Sequence, residues 1–133
     1  MDAYLSSQQL TAFKQQLQSQ RAKLLEQIRQ ELLQSDDQRY IELAGTVHDR
    51  GEEAVADLLC DIDLASIDRH IKEAAEIEAA LLRMAAGSFG LCIECEGEVG
   101  DERLTANPTA RRCYDCQRRY ELHPQDGEEW PSL

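Results

Sequence analysis

Two cysteine pairs, Cys92-Ile93-Glu94-Cys95 and Cys113-Tyr114-Asp115-Cys116, stand seventeen residues apart in a chain of 133 residues. Repeated Cys-x2-Cys pairs at a separation of about fifteen to twenty residues have the spacing of a structural zinc site. Each pair can occupy a tight turn that directs two thiolates at one point, and two such turns supply the four sulfurs of a closed tetrahedral site. With every ligand position taken by protein, no bound water is left to activate, so the expected role of one zinc ion is to fix a fold. A redox pair of cysteines usually accompanies a thioredoxin-like βαβ pattern, which the sequence lacks. Cys60, the fifth cysteine, falls on an apolar stripe and reads as a small core residue.

The elements that must hold these cysteines are helical. Residues 7 to 34 contain no Gly or Pro, and Leu10, Phe13, Leu17, Leu24, Ile28 and Leu32 recur at spacings of three, four or seven, which predicts a long amphipathic helix. Ser6 or Ser7 can cap its start. Residues 56 to 86 also lack Gly and Pro, and Cys60, Leu64, Ile67, Ile71, Ala74, Leu81 and Ala85 follow a heptad with Glu78 in the missing place. Ile77 and Leu82 widen that face, which predicts a second arm packed antiparallel to the first. Gly87 suits a left-handed position that ends it.

Between the arms, Ser35-Asp36-Asp37 can cap or interrupt a helix, and Gly45 and Gly51 bracket a turn, so the hairpin tip is expected within 36–55. Residues 35–63 carry nine acids against Arg39 and Arg50. After Gly87, the region of Val99 and of Arg103 to Leu104 is compatible with short strands or irregular structure, and Tyr114 to Leu122 with a short helix before Pro124. The predicted class is mainly α: a long antiparallel helical hairpin, a coiled coil, over residues 1–88, joined to a small four-cysteine zinc-finger module with a short C-terminal helix over 89–123. The acidic segment 124–133 is expected to be a flexible tail.

Charge narrows the partners. The formal net charge is −12 and the pI is near 4.6, which opposes non-specific attraction to nucleic acid or anionic membrane. Residues 92–122 hold five basic and seven acidic side chains, so a finger that reads DNA sequence is not expected. Neither a secretory leader nor an apolar run near twenty residues is apparent, and a cytoplasmic monomer that binds another protein is the expectation.

The run Gly87-Ser88-Phe89-Gly90-Leu91-Cys92-Ile93-Glu94-Cys95, followed by Arg103-Leu104-Thr105-Ala106-Asn107-Pro108-Thr109-Ala110 and Cys113-Tyr114-Asp115-Cys116, resembles the four-cysteine finger of the DksA/TraR family. The hairpin that precedes it resembles the layout of that family as well. The resemblance implies a non-enzymatic regulator that inserts a helical hairpin into the secondary channel of bacterial RNA polymerase and acts on initiation with acidic tip residues. The family's tip motif, Asp-x-x-Asp-x-Ala, falls in gapless register on Asp49, Glu52 and Ala54, with Glu52 one methylene longer than the family's second Asp. Arg69 keeps a basic residue where the family contacts polymerase.

Positions that supply basic groups to guanosine tetraphosphate in some members become Glu76, Asn107 and Gln117, so coupling to that alarmone is expected to be weak or absent. The resemblance places the acting end roughly 40 Å from the cysteines by helical rise. Two other classes fit the residues alone. One is a zinc-clasped adaptor for a different protein, and the other is a thiol redox sensor.

Overall fold

The computed structural model describes residues 5–50, 54–59 and 65–122. Among them are the helices α1 (Ser7–Leu33), α2 (Gln38–Arg50), α3 (Ala56–Leu59), α4 (Ala65–Ala86), α5 (Asp101–Ala106) and α6 (Tyr114–Leu122). The extended pairing among the described residues is an isolated antiparallel bridge between Leu91 and Glu98. The fold is mainly helical, as the Gly- and Pro-free runs predict.

Local chemistry sets the helix ends. Ser6 Oγ accepts from the Gln9 N–H at 3.1 Å while the Ser6 N–H donates to Gln9 Oε1 at 2.8 Å, a reciprocal capping box that satisfies two orphan donors. Asp37 opens α2: its carboxylate accepts from the Arg39 N–H at 2.9 Å, the bond expected of an N-cap. At the end of α4, Gly87 adopts φ 82°. Its N–H donates to the Met84 carbonyl and the Ser88 N–H to the Arg83 carbonyl, the paired bonds of a Schellman motif.

The chain divides into two compact units, one of Gln18–Glu78 and one of Met1–Leu17 with Ala79–Leu133. In the first, α1 and α4 run antiparallel. Arg21 Nε donates to Glu78 Oε2 at 2.9 Å, and further along α1 the Glu31 carboxylate meets His70 Nδ1 at 2.8 Å. Leu24, Leu25, Ile28 and Leu32 of α1 are buried, as are Ile67, Ile71, Ala74, Ala75 and Ile77 of α4, together with Ala44 and Val47 of α2, Val55 and Leu59. Each fully buried Leu or Ile stabilises the fold by about 1.5–3 kcal/mol. In the second unit Phe13 meets Phe89 with ring centroids 5.7 Å apart, and Leu17, Ala80 and Leu104 are fully buried.

The structure departs from the sequence reading at Gly45, at Leu82 and at residues 103 and 104. Within 56–86 the described residues form α3 and α4; Cys60 and Leu64 lie outside the described residues. Gly45 does not break the chain but sits inside α2, whose Asp37 cap and buried Ala44 and Val47 outweigh one unfavourable residue. Leu82 stands 49% exposed while the neighbouring Arg83 is buried, so the apolar face of α4 widens at Ile77 and not at Leu82. Residues 103 and 104, left open between strand and irregular structure, lie in α5.

Candidate functional site

The four cysteines converge. Their sulfurs all lie within 4.8 Å of one another, and Cys95 Sγ is 3.9 Å from Cys113 Sγ. Four sulfurs around one zinc at about 2.3 Å stand about 3.8 Å apart in a regular tetrahedron, so the cluster needs only a small contraction to hold the ion.

Each pair is aimed by its own backbone. Cys92 and Cys95 lie on a turn closed by the Cys92 N–H to the Gly97 carbonyl at 2.7 Å and by the Glu96 N–H to the Cys92 carbonyl at 3.0 Å. Inside this turn the Glu94 N–H points at Cys92 Sγ and the Gly97 N–H at Cys95 Sγ, each at 3.4 Å. Glu96 takes φ 64°, the left-handed conformation that the tight turn demands. Cys113 immediately precedes α6 and Cys116 sits in its first turn, where the helix N-terminus favours thiolates.

The two turns are joined directly, because the Ile93 N–H donates to the Arg111 carbonyl at 2.9 Å. Arg112 lies over the Tyr120 ring at 3.9 Å, and Arg103 Nε donates to the Arg112 carbonyl at 2.9 Å. These contacts fix α5 and α6 around the second pair.

Electrostatics prepare the site for a divalent cation. Burial disfavours a Cys92 thiolate, yet backbone N–H groups, with those of Cys95 and Cys113 foremost, outweigh it and hold the thiol down at about 6. Burial and the neighbouring Cys113 thiol push Cys116 up to about 12, although Arg119 Nη2 donates to its sulfur at 3.1 Å. The Cys92 thiolate forms readily and the Cys116 thiol resists, until an ion supplies positive charge. Cys92, Cys95, Cys113 and Cys116 hold one structural zinc, and their four sulfurs leave it no open position.

Residues 87–122 match the family description "Prokaryotic dksA/traR C4-type zinc finger". The chain is 30% identical over 122 residues to the RNA polymerase-binding transcription factor DksA of Caulobacter vibrioides, covering 90% of this chain and 81% of that protein. It belongs to the DksA/TraR family. Proteins of the same name are 29% identical in Salmonella typhimurium and 28% identical in Escherichia coli, each over 121 residues, covering 91% of this chain and 77% of the relative. No solved structure matches the chain.

The other residues that the family resemblance singles out are dispersed over the fold. Asp49 is exposed in the last turn of α2 and Ala54 is exposed just beyond it, while Glu52 lies outside the described residues. Arg50 Nη1 donates to the Ala54 carbonyl at 2.8 Å. Arg69 is exposed on α4, with its Nε 3.2 Å from Glu73 Oε1. At the alarmone positions, Asn107 Oδ1 accepts from Thr109 Oγ1 at 2.8 Å and Gln117 Nε2 donates to Glu121 at 3.0 Å. Glu76 is half-buried on α4.

One polar group escapes sequence reading. Arg21 and Glu78, 8% and 7% exposed, form a buried ion pair whose carboxylate oxygen also accepts the Val55 N–H at 3.0 Å. The seven-residue step from Leu17 to Leu24 is the available signal: it leaves a gap in the stripe of α1, just as Glu78 leaves one in that of α4, and the two gaps carry opposite charge.

Proposed function

We propose that this chain is a non-enzymatic transcription regulator that binds bacterial RNA polymerase through the secondary channel and modulates initiation with acidic residues. The observation that carries the reading is the match, over 90% of the chain, to relatives named for binding RNA polymerase. The four-cysteine module is the base that holds and docks the helices, and the acting residues are Asp49, Glu52 and Ala54. An acid in the last turn of a helix faces the negative end of its dipole and costs that helix stability. Asp49 in the last turn of α2 therefore calls for a reason other than local folding, and a role at the polymerase supplies one.

In this reading Asp49 and Glu52 act by charge and position near the polymerase catalytic centre, and Ala54 permits close approach. Arg69, exposed on α4, contacts the polymerase surface. Glu76, Asn107 and Gln117 supply no cation to an anionic nucleotide, so guanosine tetraphosphate changes the effect little. The protein acts as a monomer in the cytoplasm, without reading DNA sequence. In transcription with purified polymerase, Asp49→Ala should abolish the effect on initiation while binding persists, and the wild-type effect should be the same with and without the alarmone. A wild-type protein that neither binds polymerase nor alters initiation refutes the reading, and recovery of a different stoichiometric partner favours a zinc-clasped adaptor.

A further inference from the structure

The contacts between α1 and α4 define a register that the position of Val55 does not obey. Arg21 meets Glu78 and Glu31 meets His70, so a straight hairpin built on these pairs has its midpoint at residue 50. In such a hairpin Val55 stands on the returning arm, 23 residues before Glu78 and therefore about 35 Å from it by helical rise. Instead its N–H donates to Glu78 Oε2 at 3.0 Å, in a buried bond. The chain has turned back after α1: α2 lies along the arms, and His48 is near enough to Glu26 to help its main partners, Arg29 and Gln30, lower that carboxyl.

The same sequence also suits the straight register. Tyr40, Leu43 and Val47 continue the stripe of Ile28 and Leu32 at steps of three or four, with Asp36 in the intervening place. The break between α1 and α2 is made locally, by Ser35 Oγ accepting from the Asp37 N–H and by the Asp37 cap. One segment thus has two helical placements, and what distinguishes the observed one is where Val55, Leu59, Ala44 and Val47 are buried.

We infer that the Arg21–Glu78 pair is a latch that holds the segment carrying Asp49 and Ala54 folded back against α1 and α4, and that engaging the polymerase releases it into the straight hairpin. The release step rests on the polymerase reading above; the latch does not. Glu78 acts as a positioning residue. Its one carboxylate oxygen takes Arg21 Nε at 2.9 Å and the Val55 N–H at 3.0 Å, so the group that neutralises the arginine also fixes the returning strand of chain. Both charges are desolvated, and a desolvated carboxylate binds a backbone donor strongly.

Pulsed electron-spin distance measurement tests this, with spin labels on ketone-bearing amino acids at Gln27 and Thr46, both exposed, so that the cysteines stay on zinc. Packed helices lie about 8–10 Å apart, and the zinc-loaded wild type should show a label separation below about 20 Å. On one straight helix these positions are about 29 Å apart, and a free protein centred there overturns the folded-back state. Arg21→Met with Glu78→Leu removes both charges and the acceptor while keeping the core apolar, and should move most molecules to the long distance. If the short distance persists, the pair is not the latch. Glu78→Gln, which keeps an acceptor oxygen for Val55, should stay short; opening as complete as in the double variant overturns the role given to that bond.

Bacterial RNA polymerase added to the labelled wild type should lengthen the distance, and a complex that stays short overturns release. Absence of binding sinks the polymerase reading and release together, while the free-protein distances decide the latch alone.

Discussion

The cysteine cluster and the Arg21–Glu78 pair both join stretches of chain that are remote in sequence, and they do it by opposite means. The cluster is assembled from two short turns whose own backbone bonds aim the sulfurs, and two of its ligands reach the surface or near it: Cys95 is exposed and Cys113 half-buried. A metal–thiolate site needs little burial, because the ion supplies the energy and the geometry. The ion pair spans 57 residues and has no ion to organise it. It depends on the packing around it, since two charges taken out of water gain only if their geometry and remaining bonds are good. The module around zinc can therefore be small, while the helices of Gln18–Glu78 need their buried leucines and isoleucines.

The largest effect that separates the two regions is loss of the metal. A strong chelator, or Cys113→Ser, should unfold residues 87–122, because structural zinc contributes on the order of 10 kcal/mol. Amide exchange at Leu24, Ile28 and Ile71 should remain slow, since those residues are buried by other helices. A thermal midpoint unchanged by chelation shows instead that the turn bonds and the Arg112–Tyr120 contact suffice without the ion.

Next in size is the ion pair. Glu78→Ala takes its carboxylate away from a buried guanidinium and should cost about 3–5 kcal/mol, read from denaturant unfolding. Arg21→Met with Glu78→Leu should cost less than the single change, because it leaves neither charge buried without the other. A double variant as damaged as the single one shows that the pair contributes more than the removal of two mutually dependent charges.

The two regions also differ in how far the sequence reveals them. The zinc site is legible because its information is local: two ligands per turn, Gly97 beside Cys95, and a helix following the second pair. Both arms are legible over their apolar stripes, and the cap at Ser6 and the end at Gly87 follow from residue type. What is not legible depends on distant partners. Arg21 looks like one more exposed cation of a polar helix until Glu78 is placed opposite it. Helix α2 looks like a turn because Gly45 and the paired aspartates Asp36 and Asp37 are breaker signals, and only the burial of Ala44 and Val47 decides otherwise. Leu82 suits a widened apolar face by residue type but stands 49% exposed.

Gly45 and Gly87 make that point at smaller scale, since both read as breakers and only one acts as such. Gly87 holds φ 82°, which costs a residue with a side chain roughly 1–2 kcal/mol, so Gly87→Ala should destabilise by about that amount. Gly45 lies in α2 with open space where a β-methyl would stand, and Gly45→Ala should stabilise by about 0.5–1 kcal/mol. Thermal unfolding of the two variants should move in opposite directions.

The smallest effect on stability belongs to Arg69, and it divides structural from functional charge. Its side chain is 89% exposed and its pair with Glu73 is an i,i+4 surface bridge at 3.2 Å. Such a pair contributes about 0.3–0.5 kcal/mol, so Arg69→Ala should leave the unfolding curve nearly unchanged, unlike the loss of Arg21 on the buried side. If Arg69 contacts polymerase, the same substitution should weaken binding in a titration with labelled protein, and should weaken it less at high salt, where exposed charges are already screened. Equal affinity of wild type and variant at low salt removes Arg69 from the interface and leaves the exposed face of α4 without a cation assigned to it.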